Sequence, residues 1–338
     1  MNKKVAFIDH SFHKKTRSSA FFVDLLKTRY KVDVYYDSYW KDKKVFDFKK
    51  VNLLEYEAIF FWQVNYDIRY LKKLKCKNII FIPMYDDVIL NTITPFYWKQ
   101  FRSIKFISFS KTLHEYFSQK KLNSFYLNYF PAYHKVSKMF ESNNLTAFFW
   151  YRVNSINWDT IKNLITKDSF QTIYIQNNPD PYQTKLLISK KDIEEYNIKF
   201  VDWFESKEKY LNFLKSIDVY FAPRVYEGIG LTFLEAMSYG KYIVAVDKPT
   251  MNEYIVHNQN GFLYQLDKIE KINFEMISQN KIEKINSSFF NRWLDSQENI
   301  FDFIESNYNQ NNIFTIYKYY FFDKLFKLPF RIWNKLSR

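Results

Sequence analysis

Short apolar runs alternate with segments of helical periodicity along almost the whole chain, and this alternation restricts the fold more than any other feature. It is the sign of a parallel α/β architecture, in which a helix carries the chain back between neighbouring strands. In the first half, strands are expected at Val5–Ile8, Val32–Tyr36, Ala58–Trp62, Asn78–Pro83, Lys105–Phe109 and Ser124–Asn128. Helices lie between them, clearest at Ser19–Thr28 and Lys111–Gln119. A polar stretch, Ser137–Thr146, interrupts the pattern. Strands resume at Ala147–Tyr151, Thr172–Gln176, Lys199–Trp203, Val219–Ala222 and Ile243–Val246. The expected fold is α/β, with two Rossmann-like doubly wound domains at residues 1–135 and 146–310 and a hinge near 132–145. A basic aromatic helix follows over 311–338.

Lys and Arg exceed Asp and Glu by 14 charges, which favours an anionic partner. The basic residues are dispersed and no RNA-binding signature accompanies them, so a nucleic-acid binder is only an alternative reading. The single Cys76 rules out a disulfide framework and any Cys-rich metal site, and suits a reducing cytoplasm. No run reaches the apolar length of a membrane span, and the N-terminal apolar run is too short for a signal peptide. The expected location is the cytoplasm, with peripheral attachment to the inner face of the plasma membrane as an option.

Three of the four glycines, Gly228, Gly230 and Gly240, fall between Tyr226 and Gly240. This stretch follows an apolar strand and precedes another, so it reads as strand, loop, short helix, strand. A helix opening after two glycines offers unpaired N–H groups and a positive dipole end, an anion site. Glu227 in the loop and Glu235 one turn inside the helix add carboxylates, which accept from hydroxyls. Phosphate and hydroxyl recognition together suit a sugar phosphate.

The run Glu227, Gly228, Gly230, Leu231, Glu235, Ala236, Met237 and Gly240 resembles the donor signature of retaining glycosyltransferase family four. That signature has two glutamates with seven residues between them, around a Gly-aromatic-Gly; Ile229 stands at the aromatic position. The resemblance implies the B-type glycosyltransferase fold, with a cleft holding the donor on the C-terminal side and the acceptor on the N-terminal side. It implies that the amides after Gly228 and Gly230 hold phosphate and sugar, that Glu235 binds the ribose hydroxyls, and that Glu227 faces the transferred sugar. The implied activity is metal-independent transfer of a hexose, with retention, from a nucleotide-diphospho-sugar. A glycan or polyprenyl-linked acceptor in bacterial O-antigen, lipopolysaccharide or capsule synthesis is the implied setting. No cofactor is expected beyond the donor itself. An epimerase or phosphorylase-like enzyme on the same fold is the alternative.

Other loops at strand ends carry further candidates. Arg152, after the strand ending at Tyr151, matches the family's diphosphate-binding arginine. The family's lysine about five residues on is replaced by Asn157, and Arg224 is placed to supply the charge. Trp203 falls where relatives meet the nucleobase, and admits base stacking or core packing. The loop from Asp9 to Ser19 lacks the family's glycines but contains His10 and His13 with basic and hydroxyl residues. It reads either as a ligand loop or as a solvated helix lead-in with Ser18/Ser19 as cap. Asp86, beside Asp87, stands where relatives present a polar group to the reactive sugar carbon, and an N-cap is the other reading. With five scattered His and no D-x-D, no metal site is expected.

In the C-terminal segment, Phe314, Tyr317, Phe321, Leu325, Leu328, Ile332 and Leu336 recur at helical spacing. The part before Pro329 is expected to pack on the protein. The part after it, with the proline able to kink or divide the helix, is expected to reach an anionic membrane.

Overall fold

The computed structural model describes residues 3–92, 94–135, 140, 144–308 and 313–336. The chain forms two compact units, Met1–Leu127 with Asp295–Arg338, and Asn128–Leu294. Much of the expected hinge, 136–139 and 141–143, lies outside the described residues.

The first unit is built on a six-stranded sheet with the order β2-β1-β3-β4-β5-β6, every neighbouring pair parallel. Its strands are β1 (Lys4–His10), β2 (Lys31–Asp37), β3 (Ala58–Trp62), β4 (Ile79–Ile82), β5 (Lys105–Ser108) and β6 (Asn123–Tyr126). The central β3, β4 and β5 are buried along their whole length, as expected of strands covered on both faces. The edges β2 and β6 are mostly half-buried. Helix α1 (Ala20–Lys27) brings Phe22 against Phe7, Phe60, Trp62 and Phe109, with ring centroids 5.6–6.3 Å apart. The abundance of Phe is therefore partly core chemistry in tilted and edge-on pairs. Helix α2 (Tyr85–Asn91) follows β4 and helix α3 (Lys111–Gln119) follows β5.

The second unit repeats the plan with the order β12-β11-β10-β7-β8-β9, again wholly parallel. These strands are β7 (Thr146–Tyr151), β8 (Thr172–Asn177), β9 (Ile198–Phe200), β10 (Val219–Phe221), β11 (Tyr242–Val246) and β12 (Gly261–Tyr264). β12, an edge strand that opens on Gly261 directly after the polar Asn258-Gln259-Asn260, is absent from the sequence expectation. Between strands lie α4 (Trp158–Leu164), α5 (Lys190–Glu195), α6 (Lys207–Ser216) and α7 (Leu231–Ser238).

Helix α8 (Gln279–Glu305) runs across the division, so its last residues belong to the first unit. There Lys105 Nζ donates to the carbonyls of Phe303, Ile304 and Ser306 at 2.6–3.0 Å, a cation on the negative end of the helix. Glu305 accepts from Lys3 Nζ at 2.9 Å and from the Tyr30 hydroxyl at 2.8 Å.

Helix α9 (Ile313–Leu336) also belongs to the first unit, and its backbone stays helical through Pro329 rather than dividing there. It packs through Ile316, 3% exposed, and Asp323, 1% exposed, whose carboxylate accepts from Thr94 Oγ1 at 2.5 Å. Phe322 and Phe326 lie 5.5 and 5.0 Å from Phe96, and Lys72 sits 3.8 Å above the Tyr317 ring. The expected apolar face is not the packed one. Phe314, Phe321, Leu325 and Leu328 are half or more exposed, because the contacts with this unit use the neighbouring face. Side chains from Pro329 onward, including Ile332 and Leu336, lie outside the described residues. Among the described residues no helix is long and apolar enough to cross a membrane.

Candidate functional site

In the second unit the strand order reverses at β7. The chain builds β8 and β9 on one side, then returns with β10 on the other. Loops leaving carboxyl strand ends at such a reversal diverge and form a crevice. Arg152 directly follows β7, and Arg224 comes three residues after β10, so the two arginines flank it.

One carboxylate joins them. Asp180 Oδ1 accepts from Arg152 Nε at 2.6 Å, and Oδ2 accepts from an Arg224 terminal nitrogen at 2.5 Å. The Asp180 backbone N–H donates to the Arg152 carbonyl at 2.9 Å, tying its loop to the end of β7. The Arg152 guanidinium also lies 4.4 Å over the Trp150 ring, and Trp150 meets Trp203 edge-on at 5.5 Å. Trp203 is 56% exposed and lies beyond β9, so core packing does not account for it. Asn157, at the expected lysine position, caps α4: its Oδ1 accepts from Thr160 N at 3.0 Å in a capping box.

The glycine-containing loop leads from β10 into α7. Glu227 is half-buried, and its backbone N–H donates to the Pro249 carbonyl at 3.3 Å, pinning the loop to the segment after β11. Gly228 and Ile229 are buried and Leu231, the first helical residue, is half-buried. Gly230 is the N-cap with φ 74°, and a Cβ there would stand 2.0 Å from the Phe233 ring. Only glycine fits such a place. No side chain caps α7, so its first-turn N–H groups are not engaged by a cap.

Glu235 lies in the next turn of α7. Its Oε1 accepts from Lys207 Nζ, while its Oε2 is buried with no donor. Burial pushes its carboxyl pKa up, against the opposing pull of Lys207. The loop, both glutamates and α7 thus come together in one stretch of the second unit, as its carboxyl-end position dictates. Asp180 and Lys207 were missed by sequence reasoning. Asp180 sits in Asn178-Pro179-Asp180-Pro181 at the end of an expected strand, and that position was the available signal.

In the first unit the reversal falls between β1 and β3. Asp9, 1% exposed at the end of β1, organises the following loop. His13 Nδ1 lies 2.6 Å from its Oδ1, and Ser19 Oγ donates to its Oδ2 at 2.5 Å. His13 and Ser19 therefore turn inward, and Ser19 makes no side-chain cap to α1. His10 remains half-buried with its pKa lowered, first by burial and then by His13. It lines a cavity of about 480 Å³ with Asp37, Gln63, Tyr66, Asp67 and Tyr97 among others, next to the ends of β1, β2 and β3. Asp86 is not on that wall. It and Asp87 lie inside the first turn of α2, whose N-cap is Met84, so neither is the cap. Among the described residues no group of three His, Cys, Asp or Glu is placed to hold a metal.

Residues 162–285 match the family described as Glycosyl transferases group 1. The chain carries a group 1 glycosyltransferase domain. The fold of the chain is similar to that of solved B-type glycosyltransferase structures. Anabaena Alr3699/HepE in complex with UDP superposes with a TM-score of 0.54 at 14% identity, covering 90% of this chain and 100% of that one. The lipopolysaccharide outer core galactosyltransferase WaaB gives 0.53 at 14%, covering 88% and 99%. Sucrose-phosphate synthase from Thermosynechococcus elongatus gives 0.55 at 12%, covering 96% and 99%. No curated protein matches the chain as a relative.

Proposed function

We propose that this glycosyltransferase moves a hexose, with retention of configuration, from a nucleotide-diphospho-sugar to a glycan or lipid-linked acceptor. The observation that carries the reading is Glu235 Oε2, a buried carboxylate oxygen without a donor on the helix that Gly230 opens. Such an atom is costly unless a ligand hydroxyl completes it. In this reading the ribose supplies that hydroxyl, and the α7 amides receive phosphate. Glu227 faces the transferred sugar, Arg152 and Arg224 stabilise the departing diphosphate, and Trp203 stacks on the base. Anabaena HepE was solved with UDP and with UDP-glucose, which supports the donor class. The first unit takes the acceptor, with its cavity at the ends of β1, β2 and β3 as the receiving surface; Asp86, outside that wall, is the proposed polar group for the sugar.

Cationic side chains and helix amides take the place of a metal, so turnover is expected to persist in EDTA. Bacterial surface polysaccharide synthesis is the proposed setting. The lysines of α9 and its exposed Phe314, Phe321, Leu325 and Leu328 support attachment to the inner face of an anionic membrane.

A thermal-shift screen against UDP-, GDP- and dTDP-sugars tests the donor, because a ligand bound by the native state alone raises the melting point. Product analysis with and without acceptor then separates transfer from epimerisation, and the anomeric configuration of the product decides retention. No shift with any of these donors would remove the proposal.

A further inference from the structure

We propose that Asp180 is an internal counter-anion that holds the arginine pair assembled and gives up its place to the donor's diphosphate. The inference rests on the donor reading above and adds a residue to it. Two guanidiniums brought to adjoining strand ends repel each other unless an anion lies between them. Asp180 supplies one, each of its oxygens serving a different arginine at 2.5–2.6 Å. This is the contact that two phosphate oxygens make with paired arginines. The groups are 19–28% exposed, so an incoming anion has access to them.

The carboxylate is also leashed. Its own N–H is bonded to the Arg152 carbonyl, and Asn154 holds the same loop further on, its N–H donating to Gln183 Oε1 at 3.0 Å. Displaced Asp180 therefore stays near the arginines as a competitor. A diphosphate carries more negative charge than a carboxylate and wins the exchange. When the nucleoside diphosphate leaves, Asp180 returns to the guanidiniums and favours release. Asp180 is thus a positioning residue, acting on the donor site through Arg152 and Arg224.

Calorimetric titration of the full chain with pyrophosphate and with UDP, GDP and dTDP tests this. Asp180→Asn keeps the side-chain shape and removes the charge. It is expected to bind pyrophosphate and the preferred nucleoside diphosphate about tenfold more tightly than wild type, the loss of one partly screened like charge. In turnover, the donor KM and kcat are both expected to fall, because release slows; a general structural defect would raise KM. Affinity that is unchanged or weaker in the variant would overturn the role of Asp180 while leaving the donor site standing. If wild type binds none of the four ligands, the donor reading itself fails. Circular dichroism checks the fold, and Asp180→Ser carries the same expectation should the Asn variant not fold. Loss of fold in both would make Asp180 a structural residue and overturn the proposal.

Discussion

Lys207 engages only one side of the Glu235 carboxylate, leaving the Oε2 atom buried without a donor on the opposite side. The second unit thus keeps a charged acceptor in a place where burial disfavours its charge. Lys207 is 59% exposed, so its ion pair repays little of the cost.

Glu235→Gln should therefore stabilise the ligand-free protein while weakening nucleotide binding. Burial raises the folded carboxyl pKa above its ordinary 4.5, so the folded state holds the proton more tightly than the unfolded chain. The contribution of Glu235 to stability falls as pH rises through that window, and its cost is fully present above it. At pH 7 the variant is expected to gain about 1 kcal/mol in urea unfolding, with the gain shrinking toward pH 4. A variant less stable than wild type at pH 7 would contradict this.

Gly230→Ala is expected to damage the same region from the backbone side. Its φ of 74° is unfavourable for alanine, and the new methyl would fall 2.0 Å from the Phe233 ring, which is itself 1% exposed. A cost of about 2–3 kcal/mol in urea unfolding is expected. Nucleoside diphosphate affinity should fall as well, since α7 has to shift. Shortening Phe233 to Leu in the same chain should return only part of the loss, because the φ strain remains.

Glu305 governs an acid limb in the first unit. Hydrogen bonds from Lys3 and Tyr30 hold its pKa below the ordinary 4.5. The unfolded chain therefore carries the extra proton between the folded value and 4.5. The stabilisation from Glu305 is complete above 4.5 and is lost as pH falls through the folded value. Glu305→Gln should flatten the pH dependence of unfolding free energy over that interval, as read from urea melts between about pH 6 and pH 3. Equal slopes for the two proteins would show that these bonds do not favour the charged form.

The exposed stripe of α9 makes membrane attachment directly measurable. Wild type is expected to pellet with vesicles rich in phosphatidylglycerol and not with neutral ones. Phe321→Ser with Leu325→Ser should abolish pelleting, since each removes apolar surface from the stripe at 62% and 50% exposure. A chain stopped at Leu328 tests the remainder; undiminished pelleting by it would assign the attachment to the residues before Pro329.

How legible all this was depended on whether a signal lay in one stretch or in two. The strand pattern was local, and every strand but β12 was placed within a few residues, because each strand is a run of apolar side chains in contiguous sequence. The loop–helix stretch from Glu227 to Glu235 was legible for the same reason. Asp180 was not, since its meaning comes from Arg152 and Arg224, 28 and 44 residues away. The face of α9 was misjudged for a related reason. Helical spacing reveals that a stripe exists, but which stripe packs is decided by Phe96 and Thr94, partners far away in sequence.

The first unit is assembled from both sides of the second, since residues 295–338 close onto a body begun by residues 1–127. During synthesis on the ribosome, this inverts the usual order of completion. The second unit has its whole sheet once Tyr264 has emerged, and its full complement of residues at Leu294. The first unit must wait with Lys105, at the start of β5, uncovered until Ile304 arrives, and with the Thr94 surface uncovered until Asp323 does. The half of the protein translated first is the half finished last.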